Sequence, residues 1–238
     1  MTTYTSFSEF YDTIMGDRSD LIRLVRDRCH RHAPQATTLL ELGCGTGSIL
    51  AGLQPFYDLT GIDNSDKMLS VAQQKVSSAT LECHDITSFE LGRTFDIVIC
   101  VFDTINHLID YPSWERTFER AYAHLSRDGI FMFDMLTPGR MKAETAMPTY
   151  RQDYGPDNLE LHTEPLHEDA VTNSLVYAHD NGDGSVQIFE QAVEEASFPL
   201  HTVIMSLGRL FSVIEVFAPD GTASNDSERI YIVCRKTI

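Results

Sequence analysis

Ten residues, "LLELGCGTGS" from Leu39 to Ser48, constrain this chain more than any other stretch. An apolar run of strand length ends in an acid and turns through three alternate glycines. The residues beyond, "GSILAGLQPF", have helical spacing. A strand, a glycine turn and a helix form the first crossover unit of a parallel sheet, and the unit then repeats. "YDLTGID" is a second strand and "DKMLSVAQQKV" an amphipathic helix starting near Ser65 or Asp66. "ATLECHDI" is a third strand. "FDIVICVFDTI" is a fourth, with the β-branched density of a strand covered on both faces. "YPSWERTFERAYAHL" is a helix with Trp114, Phe118, Tyr122 and Leu125 on one side, and "DGIFMFDML" is a fifth strand behind a turn at Asp128-Gly129.

From about Gly139 to Pro199 the rhythm changes. "NLELHTEPL", "NSLVYAHD" and "SVQIFEQAVEEASF" alternate polar and apolar residues, and "NGDG" (Asn181 to Gly184) signals a hairpin. "LHTVIMSLGRL" reads as a helix, "FSVIEVFAP" as a sixth strand and "ERIYIVCRK" as a seventh. The expected fold is α/β: a Rossmann-like, seven-stranded, mostly parallel sheet with helices on both faces and an antiparallel β insertion before strand six. One domain spans 1–238. It comprises an N-terminal helical cap (1–33), a ligand-binding core (34–138), the insertion as lid and substrate region (139–199), and a C-terminal helix and strands (200–238).

The formal charge of −17 over 238 residues excludes a general affinity for nucleic acid or an anionic membrane, both of which need clustered Lys and Arg. The densest basic stretch, "RLVRDRCHRH", has the spacing of a solvated helix face. Five cysteines, with no C-x-x-C pair, disfavour a disulfide framework and a zinc site, so no metal is expected. No apolar run is long enough to span a bilayer, and "MTTYTSFSEFYD" lacks the character of a signal peptide. A cytoplasmic protein, monomeric or homodimeric, is expected.

In an open parallel sheet, ligands sit beyond the carboxyl ends of the strands. Three acids occupy those ends: Glu41 after strand one, Asp63 after strand two and Asp85 after strand three. The spacing from Gly43 to Asp63 is that of a glycine turn and a ribose-gripping acid. Glycines and Asp63 suit a dinucleotide and a nucleoside equally. A pyrophosphate beside Glu41, however, would be repelled by several kcal/mol, taking a separation of about 5 Å and an effective dielectric near 20. The pattern is also G-x-G-x-G, with Ser48 where the dinucleotide fingerprint has its third glycine. The acids favour a cationic, phosphate-free nucleoside, and S-adenosylmethionine has that chemistry.

The chain resembles the class I S-adenosylmethionine-dependent methyltransferases. "LLELGCGTGS" is similar to their first motif, "LTGIDNSDKMLSVA" to the second, "CHDI" to the third and "RTFDIVICVFDTINHL" to the fourth. "LSRDGIFMFDMLTP" resembles the next strand, although Arg127-Asp128 replaces the usual Pro-Gly before Gly129. The opening "YDTIMGDRSD", the Phe102-Asp103 pair and the late insertion resemble a small-molecule branch that includes amino-sugar N-methyltransferases.

The resemblance implies roles residue by residue. Gly43, Gly45 and Gly47 would approach the methionine part and ribose, with Glu41 facing the ammonium and Asp63 accepting the ribose hydroxyls. Asn64 and Met68 would flank the adenine, and Asp85 and Ile86 would meet its amino edge. Val101 and Phe102 would floor the site near the sulfonium, and Tyr11 would close over the methionine end. His107 is a candidate general base, against the alternative of a histidine bonded to a loop carbonyl. Asn106, Tyr150, Tyr154 and Tyr177 are candidate substrate contacts. The expected acceptor is a small molecule, methylated at N or O and possibly an amine or amino sugar. Two other readings stand beside this one. A short-chain NAD(P) oxidoreductase would need a Tyr-x-x-x-Lys pair after the fourth strand, which is absent. A non-catalytic binding or scaffold protein would keep the fold without turnover.

Overall fold

The computed structural model describes residue 8, residues 10–219 and residues 221–236. Two short helices, α1 (Tyr11–Met15) and α2 (Ser19–His32), precede the alternating core of β1 (Thr38–Leu42), α3 (Ser48–Leu53), β2 (Asp58–Asp63), α4 (Asp66–Lys75), β3 (Thr80–Cys83) and β4 (Phe95–Cys100). A 3-10 turn (Thr104–His107), α5 (Tyr111–Ala123) and β5 (Leu125–Leu136) follow. The helix starts are encoded locally. Ser65 accepts from the Met68 N–H, Asp110 from Ser113 and Thr137 from Arg140, and Pro112 and Pro138 occupy first-turn positions where no N–H is needed.

The main sheet has the order β10-β11-β5-β4-β1-β2-β3, where β10 is Phe211–Phe217 and β11 Arg229–Lys236. β1 pairs in parallel with both β2 and β4, so the strand order reverses between β1 and β4. Only β11 runs antiparallel to its neighbours, β5 and β10. Strand periodicity splits the sheet's residues between two cores. Leu40, Leu42, Val98, Cys100, Phe131 and Phe133 face Trp114 and Phe118 of α5. Leu39, Ile97, Ile99, Ile130 and Met132 face Val25 and Cys29 of α2 and Leu50 and Leu53 of α3.

The region from 139 to 199 departs from the sequence reading in two places. Residues 138–146 form a helix, α6 (Pro138–Ala146), and the exposed segment β6 (Thr149–Tyr154) pairs with β7 (Asp157–His167). β6 carries only Tyr150 and Tyr154 among polar residues, too weak a pattern to mark a strand without its pairing to β7. The four-stranded antiparallel sheet is completed by β8 (Ala170–Asp180) and β9 (Val186–Ala196), joined across the Asn-Gly-Asp-Gly turn. Its small core of Leu159, Leu175, Tyr177 and Val193 takes in Phe10 and Ile14 from the first helical segment. The Phe10 ring lies 5.2 Å from Tyr177 and 5.0 Å from Phe189. α1 therefore ties the insertion to the core sheet, and α7 (Leu200–Leu207) leads back to β10.

Candidate active site

The carboxyl ends of β1, β2, β3 and β4 surround a cavity of about 250 Å³. Eleven of the twelve residues assigned from sequence to nucleoside binding line it: Tyr11, Glu41, Gly43, Gly45, Asp63, Asn64, Met68, Asp85, Ile86, Val101 and Phe102. Gly47 does not. With φ +74 it caps α3, and a Cβ there would come within 3.0 Å of Ala72 and Val76 on α4. Its absent side chain serves helix packing. Gly43, with φ +69, lets the first turn close on the turn after β4: an added Cβ would meet Thr104 Cγ2 at 2.3 Å.

The electrostatics of the cavity rest on buried groups. Glu41 is 2 % exposed, and its Oε2 has no hydrogen-bond partner. Burial raises its pKa well above the usual carboxylate value; Arg18 opposes this and Asp63 adds to it. Arg18, 8 % exposed, has an unpartnered Nη2 and lies 4.3 Å from the Phe102 ring centre and 5.3 Å from that of Tyr11. Asp63 accepts from the Gly45 N–H and the Ser65 N–H, each at 2.9 Å. Burial raises its pKa, and these backbone bonds restrain the rise. Asp85 accepts from the N–H and hydroxyl of Thr87, both at 2.7 Å, so it closes a turn as well as lining the cavity. Asp12 fastens α1 over the glycine turn, accepting from the Thr46 and Ser48 hydroxyls at 2.8 Å and pairing with Lys75. Sequence reading missed Arg18, Asp12 and Thr104. Arg18 and Asp12 lie in "YDTIMGDRSD", where charged residues look like ordinary helix surface, and only the folding back of α1 and α2 buries the guanidinium.

Phe102 and Asp103 both have left-handed backbones, φ +66 and +54, each costing roughly 1 kcal/mol or more in a residue with a Cβ. The turn sends Phe102 into the first cavity and Asp103 toward a second. It is held by Arg229, which binds Asp103 Oδ1 at 2.7 Å and also pairs with the fully buried Asp134. The second cavity, of about 540 Å³, lies between the main sheet and the insertion. It is lined by Asp103, Arg140 and Glu144 of α6, Asn173, Glu195 at the end of β9, and Glu228 and Arg229, together with apolar residues of the insertion. His107 lines the first cavity, and its Nδ1 stands 3.8 Å from Glu195 Oε1 on the wall of the second. Burial lowers the His107 pKa, so the ring is held neutral near pH 7. Burial, with Asp103 and Glu144 adding to it, pushes Glu195 up to about 8.

The four candidate substrate contacts are placed elsewhere. Asn106 is fully buried; it accepts from the Leu136 N–H at 2.9 Å and donates to the Ala196 carbonyl at 2.8 Å, clamping the 3-10 turn to the ends of β5 and β9. Tyr177 is buried in the insertion's core, its hydroxyl donating to Asp157 at 2.6 Å. Tyr154 donates to the Ile14 carbonyl at 2.8 Å, and Tyr150 is half exposed on the outer strand β6. None of the four lines either cavity. Asn106 was assigned from its place after the fourth strand and the three tyrosines from the insertion, where alternation along a strand does not reveal which of the two faces meets the cavity.

Residues 39–129 match the family model of a methyltransferase domain. The chain is 35% identical over 136 residues to the dTDP-3-amino-3,6-dideoxy-alpha-D-glucopyranose N,N-dimethyltransferase of Streptomyces fradiae, a match covering 54% of this chain and about half, 52%, of that one. Among solved structures, an S-adenosylmethionine-dependent methyltransferase of Clostridium acetobutylicum superposes with a TM-score of 0.87 at 21% identity, over 99% of each chain. A sugar N-methyltransferase of Streptoalloteichus sp. superposes with a TM-score of 0.79 at 22% identity, over 97% of this chain and 93% of that one. Residues 39–129 thus match a methyltransferase domain, and the fold of the whole chain is that of the solved S-adenosylmethionine-dependent methyltransferase on which it superposes.

Proposed function

We propose that the protein transfers a methyl group from S-adenosylmethionine to the nitrogen of a small amine, with an amino sugar as the leading acceptor class. One observation carries the donor assignment: two buried side chains lining the cavity, the acid Glu41 and the base Arg18, each keep a polar atom without a hydrogen-bond partner. A buried polar atom without a hydrogen bond is costly, and a zwitterionic ligand relieves both at once, its ammonium meeting Glu41 Oε2 and its carboxylate Arg18 Nη2, while Arg18 Nη1 stays 3.6 Å from Asp12. A dinucleotide offers no such pair. Asp63 stands where an acceptor for ribose hydroxyls is needed, and Met68 and Ile86 supply apolar walls for a base. The residues present fit the nucleoside. The names of the sugar N-methyltransferases support the acceptor class.

When bound, the donor supplies an electrophilic methyl on a sulfonium. The acceptor's lone pair forms the new N–C bond while the C–S electron pair leaves with sulfur, and one proton departs from nitrogen. The protein's part is to align the two reactants and exclude water, which accounts for most of the acceleration in a displacement of this kind. Phe102 and Tyr11 cover the site, and Arg18 packed on both rings holds them in place. His107, neutral and located between the cavities, is suited to accept the proton.

Turnover decides this reading. The purified protein, S-adenosylmethionine and a panel of amino sugars should produce S-adenosylhomocysteine and an N-methyl product. If a His107→Gln variant retains kcat but raises KM, the histidine positions the acceptor; a fall in kcat of about 10²-fold or more assigns it the proton. Binding of both sulfur nucleosides with no turnover on any amine would favour the scaffold reading.

A further inference from the structure

The second cavity has a charge balance that narrows the acceptor. Its wall carries four carboxylates, Asp103, Glu144, Glu195 and Glu228, against two guanidiniums. Both guanidiniums are committed. Arg229 pairs with Asp103 and Asp134, and Arg140 pairs with Glu144 at 2.7 Å and with Glu228. Two carboxyl groups keep an oxygen that accepts no hydrogen bond from a described residue. Glu195 is 6 % exposed; its Oε2 accepts from Asn173 at 2.8 Å, whereas its Oε1 accepts no hydrogen bond from any described residue. Glu144 Oε2 is buried without a partner. The cavity therefore presents carboxyl oxygens with spare acceptor capacity and, among the described lining residues, no uncommitted cation; a cation bound there would favour the ionised form of Glu195 that burial otherwise disfavours.

We propose that this cavity binds the acceptor as a free ammonium ion, anchored by Glu195 and Glu144, and that the acceptor is not carried on a nucleoside diphosphate. The inference rests on the methyl-transfer reading and refines its substrate class. An ammonium offers the donors the two orphaned oxygens lack, and in a desolvated site such charge-assisted bonds are strong. A diphosphate brings about two negative charges to a wall whose guanidiniums are already paired, and it would have to break an existing ion pair to be held. The Streptomyces fradiae relative carries dTDP in the name of its substrate, so the acceptor proposed here departs from that pattern. Glu195 also sits 3.8 Å from His107, which lines the first cavity, so an amine held by Glu195 would lie near the candidate base. Asp103, His107 and Glu195 bring one ligand atom each within 4.8 Å of one another. A divalent metal is thus the competing occupant, and the test includes it.

The test is calorimetric titration of the full chain, with and without saturating S-adenosylhomocysteine. The probes are glucosamine, 3-amino-3-deoxyglucose and putrescine as amines, N-acetylglucosamine as a neutral control, thymidine diphosphate, and Mn²⁺. At least one amine should bind, N-acetylglucosamine and thymidine diphosphate should not, and Glu195→Gln should weaken the amine by about tenfold or more. Glu190→Gln removes an equal charge from the exposed part of β9 and should change nothing. If Glu195→Gln does not fold, Glu144→Gln reads the same effect from α6. Binding of thymidine diphosphate, equal binding of glucosamine and its N-acetyl form, no amine binding, or amine binding indifferent to both substitutions overturns the inference. So does Mn²⁺ binding that depends on Glu195. Failure of S-adenosylhomocysteine to bind would instead sink the methyl-donor reading, and the amine titrations without it would still decide this one.

Discussion

Replacing Asp63 by Asn removes a charge and one acceptor while keeping the shape, and the structure sets the size of the effect. Each carboxylate oxygen already accepts a backbone N–H, from Gly45 and from Ser65 at 2.9 Å. An amide can satisfy only one of the two, so its NH₂ must face the other donor. A part-buried N–H left unsatisfied costs about 1–3 kcal/mol. Because burial already raises the Asp63 pKa, losing the charge offsets part of that cost. The ligand-free protein should therefore lose no more than about 3 kcal/mol and remain folded. Binding suffers separately. One ribose hydroxyl loses a charged acceptor, worth about 1.5–3 kcal/mol, which weakens S-adenosylhomocysteine by about 10- to 150-fold. Calorimetry on wild type and Asp63→Asn, with S-adenosylhomocysteine and its 2′,3′-dideoxy analogue, measures this directly. The substitution should cost little affinity for the analogue, which lacks the hydroxyls. An unchanged Kd for S-adenosylhomocysteine, or an equal loss for both ligands, would refute the ribose role of Asp63.

Other consequences are open to measurement. Arg18→Met keeps the packing against Phe102 and Tyr11 but removes the cation, and should weaken S-adenosylhomocysteine by about tenfold or more while sparing adenosine; titration of both ligands checks it. Glu195 is raised by burial to about 8 from its ordinary 4.5, so the fold favours its protonated form, and the associated stability is present at low pH and lost as pH rises through about 8. Glu195→Gln should accordingly gain stability relative to wild type between pH 5 and 9, read as the difference in Tm across that range. Asp157 shows the opposite sign. Hydrogen bonds from Tyr177 and His179 depress it to about 2 from 3.8, so its contribution is present above pH 4 and disappears as pH falls through about 2. Asp157→Asn should accelerate amide exchange at the paired ends of β7 and β8 at neutral pH and leave β1 and β4 unaffected.

Much of the fold was legible because its signals are local. Strand runs buried on both faces, capping residues such as Ser65 and Asp110, and the Asn-Gly-Asp-Gly turn each act within a few residues. The lining of the first cavity was legible for the same reason. In a parallel sheet every strand's carboxyl end faces the same edge, so Glu41, Asp63 and Asp85 converge once the strands are found. The acceptor side offered no such rule. Which face of β8 meets the cavity depends on how the insertion packs: Tyr177 turned inward onto Phe10, and Asn106 became a clamp. β6 and α6 carry too little periodicity to be seen without their partners.

The sequence by itself determined the parallel sheet, the position of the glycine turn and the acidic character of the first cavity, because these follow from residues close together in the chain. Only the tertiary structure decided that Arg18 joins Glu41, that His107 stands beside Glu195, and that Arg140 and Arg229 are already paired. Those relations join residues far apart in sequence. Burial, which sets what an unpaired charge costs, belongs to the packed molecule and not to any segment of it.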